Sequence, residues 1–493
     1  MARRGPGEVK PFKAPQMDYR RVKKTDLLAG LLSEWPDDLL PEIQRLVKAG
    51  RRKIVVVDDD PLGTQTVYDL PVLTEWPVER LREELANDFP AFYLLTNSRS
   101  LPPVRAESVN AEIGRNLVEA VRHGGADREF TVISRSDSTL RGHFPGEVQA
   151  LAQGLQQDFD AWLIIPFFLE GGRYTIDDIH YVAEGEWLVP AGETEFARDP
   201  AFGYRASNLR QWIEEKTGGR VRSQSVGSIS IDDIRRGGPE LVAERLEGLR
   251  RGSMCIVNAA GMRDLEVFTL GLLTAEAHGR RFLCRTAASF VQVRVGLPTR
   301  SLLTQDDLAL PALGGGSLIV VGSHVPRTTT QVNRLLAVPG IASIEIPAEA
   351  LLADGREEEI VRVADQADEG LRLGRDVVIY TSRELVTGES AESSLSIGRR
   401  ISDGLAAIVR AIQTRPRYLL AKGGITASDI ATGALGVKRA LVLGQVLPGV
   451  PVWRLGPESR CPGMVYIVFP GNVGGPEALV EIVTALGRTA DTL

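Results

Sequence analysis

Only three of the 493 residues are cysteine, Cys255, Cys284 and Cys461. They are scattered and odd in number, which excludes a disulfide framework and a zinc-type spacing. A reducing compartment follows, so a cytoplasmic location is expected. Basic charge is not in excess: 58 Lys and Arg against 64 Asp and Glu leave a net charge of -6. A general nucleic-acid binder would present a basic surface, so that class is not expected, although a local anion pocket remains compatible. No apolar run approaches the length of a membrane span. Behind Met1-Ala2-Arg3-Arg4-Gly5-Pro6 there is no apolar h-region, so no secretory signal is read there. Basic residues continue through Arg20, Arg21, Lys23 and Lys24 without interleaved aromatics. Residues 1–50 read as an extension, solvated or draped on a subunit, rather than as a nucleic-acid arm.

Several catalytic signatures are missing too. No G-x-x-x-x-G-K-[ST] surrounds Lys422, so there is no Walker A loop. No Gly-x-Gly-x-x-Gly follows the first strand, which argues against a two-domain dinucleotide oxidoreductase. The absence of His-Glu-x-x-His and Gly-x-Ser-x-Gly weakens a hydrolase reading.

What is present is an α/β pattern in a chain with 43% hydrophobic and 25% charged residues, the balance of a soluble globular protein of two or three domains. Apolar runs at 54–57, 92–96, 130–134 and 162–166 alternate with amphipathic segments; Val109, Ile113, Leu117, Val118 and Val121 share one helix face. Continuous apolar strands between helices imply mostly parallel sheets covered on both faces. Gly314-Gly315-Gly316 reads as a flexible connection before a fresh strand at 317–321. The expected organisation is two α/β domains, 51–300 and 315–485, with ligand loops at the strand ends and the active site in the cleft between them.

Three loops in the first half carry chemistry. Asp58-Asp59-Asp60 ends the first strand, where three carboxylates repel one another and lose solvation if buried. A metal, a hydroxyl to be deprotonated, or plain solvent would account for them. Thr96-Asn97-Ser98-Arg99-Ser100 offers hydroxyls and a guanidinium for a carboxylate or phosphate, or else caps the next helix. Ser134-Arg135-Ser136-Asp137-Ser138-Thr139-Leu140-Arg141-Gly142-His143 suits a polyhydroxylated acid: Asp137, Ser138 and Thr139 for alcohols, Arg141 for the carboxylate. His143 alone is a common surface histidine. Gly171-Gly172 before Arg173 permits close backbone approach or makes an ordinary turn. In the second half, Gly322-Ser323, Lys422-Gly423-Gly424-Ile425-Thr426 and Gly471-Asn472-Val473-Gly474 end strands and lead into helices, an arrangement that favours phosphate.

In order along the chain, Asp58-Asp59-Asp60-Pro61-x-Gly63-Thr64-Gln65-Thr66, Asp137-Ser138-Thr139-Leu140-Arg141-Gly142, Gly171-Gly172-Arg173, Gly322-Ser323, Lys422-Gly423-Gly424-Ile425-Thr426, Pro448-Gly449-Val450-Pro451 and Phe469-Pro470-Gly471-Asn472-Val473-Gly474 resemble the motifs of the four-carbon acid sugar kinase family. The resemblance implies an N-terminal domain for the acid sugar, a C-terminal domain for ATP, and phosphorylation of acids such as threonate, erythronate or 3-oxo-tetronate. It carries the nucleotide contacts onto Ser323, Gly423, Gly424, Ile425, Thr426 and Gly471.

On that basis ATP and Mg²⁺ are the expected cofactors. Asp59 or Asp60 is the general base or helps to hold Mg²⁺, two roles the sequence does not separate, with Asp60 the candidate metal ligand and Asp137 the second catalytic candidate. Arg141, with Arg99 or Arg173, binds the carboxylate beside Ser138 and Thr139. The expected partners are a small sugar acid and ATP, with no nucleic acid or membrane, and homo-oligomerisation left open. Three positions depart from the family pattern: Leu62 stands where a threonine is usual, Ile425 where an acid is common, and Phe469 where a lysine is usual. A kinase for another small hydroxylated acid, and a catalytically lapsed nucleotide-binding protein, are the alternatives.

Overall fold

In the computed structural model the residues described are 20–50, 52–124, 129–311, 315–383, 391–471 and 473–487, the side chains of 61–62, 123–124 and 391–395 aside. Residues 1–19, Gly314, Asn472 and the Leu62 side chain therefore lie outside the described residues. The chain forms two compact units, one of Met1–Leu39, Asp137–Gln149 and Gln157–Ala287, the other of Leu40–Ser136, Ala150–Gln156 and Ala288–Leu493.

In the first unit, strands Gly227–Ile229, Ser253–Val257, Ala161–Ile165 and Phe282–Thr286 lie in that order, all parallel. Their continuous apolar runs match a sheet covered on both faces, with Leu163, Ile164, Ile256, Val257 and Leu283 fully buried. Helix Ile231–Glu247 starts on a capping box, in which the Asp233 N–H donates to Ser230 Oγ at 3.0 Å and the Ser230 N–H donates to Asp233 at 3.0 Å. It kinks at Gly238 (φ 66°), before Pro239 and against Trp35, where a Cβ would meet the indole at 2.4 Å.

A second, antiparallel sheet in this unit runs Val22–Lys23, Trp187–Pro190, Ile179–Glu184, Arg173–Ile176. Strand–helix alternation did not foreshadow it. The basic stretch read as solvated or draping docks instead: Arg21 lies over the Trp187 ring at 4.8 Å and Lys24 over Tyr174 at 5.1 Å. Gly171-Gly172 is the tight turn into strand Arg173–Ile176, Gly172 taking φ +67°.

The second unit holds strands in the order Phe130–Arg135, Lys53–Asp58, Ala91–Leu95, Leu70–Leu73, Arg439–Leu447, Val450–Leu455, Val465–Phe469, Tyr418–Lys422, Leu318–Val321, Val377–Thr381, Ala342–Ile346. The first four are parallel to one another, as are the last five. An antiparallel meander joins the two blocks. Only Pro448 and Gly449 separate Arg439–Leu447 from Val450–Leu455, too few residues for the crossover a parallel pair requires. Register shifts near Val442/Gly444 and Gln445/Leu447 bend that long strand. Ile319, Val321, Leu420, Ile467 and Phe469 form the core beside helices Pro326–Leu336 and Ala478–Ala485. Both units are mixed α/β, each with a mostly parallel main sheet flanked by helices, as the sequence pattern implied; the antiparallel sheet of the first unit is the addition. Among the described residues no helix is long and apolar enough to cross a membrane.

Candidate active site

Every residue of Lys53–Asp58 is buried, including Asp58. Burial pushes the Asp58 carboxyl well above the usual carboxylate range; the Arg135 charge opposes this, while Asp59 and Asp60 add to it. Asp58 Oδ1 accepts the Asp60 N–H at 3.2 Å, and Oδ2, buried, has no hydrogen-bond partner among the described residues. It presses against Gly63, where a Cβ would stand 1.7 Å from Oδ2. The turn is thus largely enclosed, not an exposed acidic loop.

The loop after Ala91–Leu95 wraps this turn. The N–H and Oγ1 of Thr96 donate to the Asp58 carbonyl at 2.9 and 3.0 Å, and the Arg99 N–H donates to the Asp59 carbonyl at 3.3 Å. Arg99 Nε donates to Asp59 Oδ2 at 3.0 Å, Nη2 reaches the other Asp59 oxygen, and Nη1 donates to Asp60 Oδ2 at 2.7 Å. Burial alone would lower the Arg99 pKa, but the Asp59 and Asp60 charges outweigh it and raise it. The Asp59 side chain is 3% exposed and that of Asp60 16%. Behind the turn, Trp453 Nε1 donates to Thr64 Oγ1 at 3.1 Å and Gln65 Nε2 to the Gly449 carbonyl at 3.1 Å.

In the same unit a cleft of about 490 Å³ is lined by Ser323, Gly423, Gly424, Ile425, Thr426 and Gly471, together with Asn97, Ser100 and Leu101 from the loop that carries Arg99. All six expected nucleotide contacts therefore meet in one cavity. The glycines are needed for close approach. A Cβ at Gly322 would meet Thr426 Oγ1 at 2.3 Å, and one at Gly471 would meet Ser323 Oγ at 2.8 Å. Thr328 Oγ1 donates to the Gly471 carbonyl at 2.9 Å and lies 3.2 Å from Ser323 Oγ. Two backbone donors are already spent: the Gly322 N–H on the Lys422 carbonyl at 3.2 Å and the Gly423 N–H on the Phe469 carbonyl at 2.8 Å. On the cleft's far wall Ser402 Oγ donates to Asp429 Oδ2 at 2.5 Å, and burial raises the Asp429 pKa. His324, also lining the cleft, is kept toward its neutral form by burial and then by the Arg383 charge; its buried Nδ1 has no partner among the described residues.

The third cluster lies in the first unit. Asp137 and Arg285, whose side chains are both 0% exposed, pair at 2.5 Å. The Leu140 N–H donates to Asp137 Oδ1 at 3.2 Å. Thr139 and Leu140 both take positive φ, 55° and 65°, in the tight loop these bonds hold. Arg141 Nη2 donates to Ser138 Oγ at 3.0 Å and Nη1 to Asp199 at 3.2 Å; Arg173 Nε donates to Thr139 Oγ1 at 3.0 Å. Both guanidiniums lie over the Phe196 ring, at 4.9 and 5.0 Å. Burial, then the neighbouring Arg141 charge, lowers the Arg173 pKa to about 10. Asp199 already meets the Arg141 charge, and the Arg173 charge beside it favours a further anion. His143 packs edge-on against Phe202 at 4.8 Å.

Sequence reasoning missed Arg285 and Lys422 as site residues. Each is a charge in an otherwise apolar buried strand, Phe282–Thr286 and Tyr418–Lys422, and that contrast was the available signal. Among the described residues no group of three or more His, Cys, Asp or Glu is arranged to hold a metal.

Comparison with known proteins bears on these clusters. A sugar-binding N-terminal domain matches residues 54–294 and a nucleotide-binding C-terminal domain matches residues 318–479. The chain is 29% identical to a D-threonate kinase of Salmonella typhimurium over 366 residues, 71% of this chain and 79% of the relative. It is 26% identical to a 3-oxo-tetronate kinase of Cupriavidus necator over 408 residues, 80% and 87% of the two chains. A D-erythronate kinase of Heliobacterium modesticaldum is 26% identical over 382 residues, 73% and 79%. Among solved structures, the Haemophilus influenzae protein HI1011 aligns with a TM-score of 0.58 at 16% identity, covering 88% of this chain and 100% of that one. At that identity the likeness is one of fold.

Proposed function

Because the chain belongs to the four-carbon acid sugar kinase family, we propose that it transfers the γ-phosphoryl group of ATP to a hydroxyl of a four-carbon sugar acid of the threonate, erythronate or 3-oxo-tetronate class. The observation that carries this reading is the convergence of Ser323, Gly423–Thr426 and Gly471 on one cleft whose other wall is the loop bearing Arg99. Phosphoryl transfer needs in-line positioning and charge neutralisation more than covalent chemistry. The Gly322 and Gly423 N–H groups are already engaged, so phosphate would be met by other backbone N–H groups of these loops.

Arg99 orients the acids. Its fork holds Asp59 through two bonds and gives Asp60 one, and Asp60 is the more exposed of the two. Asp60 is therefore the residue we assign to accept the substrate hydroxyl proton. It is also the carboxylate that would hold Mg²⁺, an ion that in kinases is bound by one or two carboxylates plus the nucleotide phosphates and neutralises their charge. Arg141 and Arg173, with Ser138 and Thr139, recognise the substrate carboxylate and hydroxyls. Asp137, enclosed and paired with Arg285, anchors that loop.

The test is a thermal-shift screen of hydroxylated acids with ATP and Mg²⁺, followed by ADP-release assays on the hits. Turnover with a four-carbon acid is expected, and Asp60→Asn should reduce it at least 100-fold, on the order of a lost general base, while leaving the melting temperature nearly unchanged. Absence of ATP turnover with every tetronate, or near-parental turnover in Asp60→Asn, rejects the respective assignment.

A further inference from the structure

Lys422 ends the strand Tyr418–Lys422, in parallel register with Phe469 on one side and Val321 on the other. It is 0% exposed. Its Nζ donates to the Pro470 carbonyl at 2.5 Å and sits 3.6 Å from the centre of the Phe469 ring. Its own carbonyl accepts the Gly322 N–H. One side chain and one carbonyl thus hold two of the three loops that line the cleft.

A buried ammonium ordinarily has an acid beside it. The elements around Tyr418–Lys422 bring Tyr466 from Val465–Phe469, Asp429 from Gly424–Asp429, and His324 and Arg327 from the segment after Leu318–Val321. Among the described residues the one charged side chain that acts on Lys422 is Arg327, and its charge has the same sign. Among the described residues, no carboxylate pairs with Lys422. Nζ has three donors and spends one on a carbonyl. A cation so placed is completed by an anion.

We infer that Lys422 is a positioning residue of the nucleotide site: through Pro470 it sets the Gly471 loop against Ser323, and its unpaired charge is balanced by the phosphates of the bound nucleotide. This rests on the nucleotide reading of the cleft above. Burial, then the Arg327 charge, lowers the Lys422 pKa to about 7, so near neutrality the free protein holds this amine only partly protonated. A bound polyanion restores the protonated form. Nucleotide binding is then accompanied by uptake of a proton from solvent, and affinity falls as pH rises above 7.

The experiment is isothermal titration of the full chain with ADP at pH 7.5 in two buffers of different ionisation enthalpy. Phosphate N–H contacts alone predict no proton uptake, since they favour the ionised phosphate and at most release a proton from it. Parent protein is expected to bind ADP with net proton uptake. Lys422→Met is expected to bind at least tenfold more weakly with that uptake abolished, and to melt no lower than the parent, since an unpaired buried charge has been removed. Lys422→Gln keeps a donor for the Pro470 carbonyl without the charge; it is expected to recover part of the affinity but none of the uptake. Parental affinity or persistent proton uptake in Lys422→Met overturns the inference while leaving the nucleotide site standing. Failure of the parent to bind ADP overturns both.

Discussion

Asp58 sits at a strand end with one carboxylate oxygen pressed against Gly63 and without a hydrogen-bond partner among the described residues. An unfolded aspartate titrates at about 3.9, and in the folded chain burial lifts that value. The stability that depends on a protonated Asp58 is therefore intact below pH ~4 and is lost as pH climbs through the folded value. Asp58→Asn removes that loss. Its melting temperature should match or trail the parent in mild acid and exceed it increasingly toward pH 8. A difference that does not grow with pH would mean that Asp58 is ionised in the folded protein at no cost. The sequence marked the three acids as a cluster that packing does not explain. It did not sort them, because burial of Asp58, the two hydrogen bonds from Arg99 to Asp59 and the one to Asp60 depend on a loop 40 residues away.

At the scale of elements, the acidic turn and its glycine act as one unit. Gly63→Ala forces a methyl group into the Asp58 carboxyl, which overpacking data put at about 1–3 kcal/mol. Asp58→Ala in the same chain should relieve most of that cost, so the two substitutions should be strongly non-additive in urea or thermal denaturation. Additive losses would locate the strain of Gly63→Ala elsewhere. Most strands were legible because burial on both faces leaves uninterrupted apolar runs, as in Ile54–Val57 and Leu419–Ala421. The sheet through Arg173–Ile176 was not, since its strands are short and interrupted by Gly, Asp and Glu. The meander 439–469 was legible as strands; the two-residue link at Pro448 and Gly449 makes its first pair antiparallel, whereas its pairing with Leu70–Leu73 and Val465–Phe469 is set by the tertiary fold.

For the whole molecule, the two proposed ligands have separate footprints. The cluster of Arg141, Arg173 and Phe196 belongs to one compact unit, and the cleft of Ser323, Gly424 and Gly471 to the other. Hydrogen exchange should report this directly. ATP is expected to slow exchange in 97–101, 322–326 and 423–429, and a bound tetronate in 137–143 and 170–175. Protection of 137–143 by ATP alone, with 423–429 unchanged, would reverse the assignment of the ligands. The alternation of strands and helices, the loops that carry acids, guanidiniums and glycines, and the family those motifs resemble were all determined by the sequence, because each is written in local periodicity or in short contiguous runs. Only the tertiary structure decided which charges meet. Arg99 is taken by Asp59 and Asp60, Arg285 is enclosed with Asp137 at a separation of 148 residues, and Lys422 is left facing a carbonyl and a ring with a fellow cation nearby. Such pairings follow from strand order and register, and nothing local in the chain encodes those.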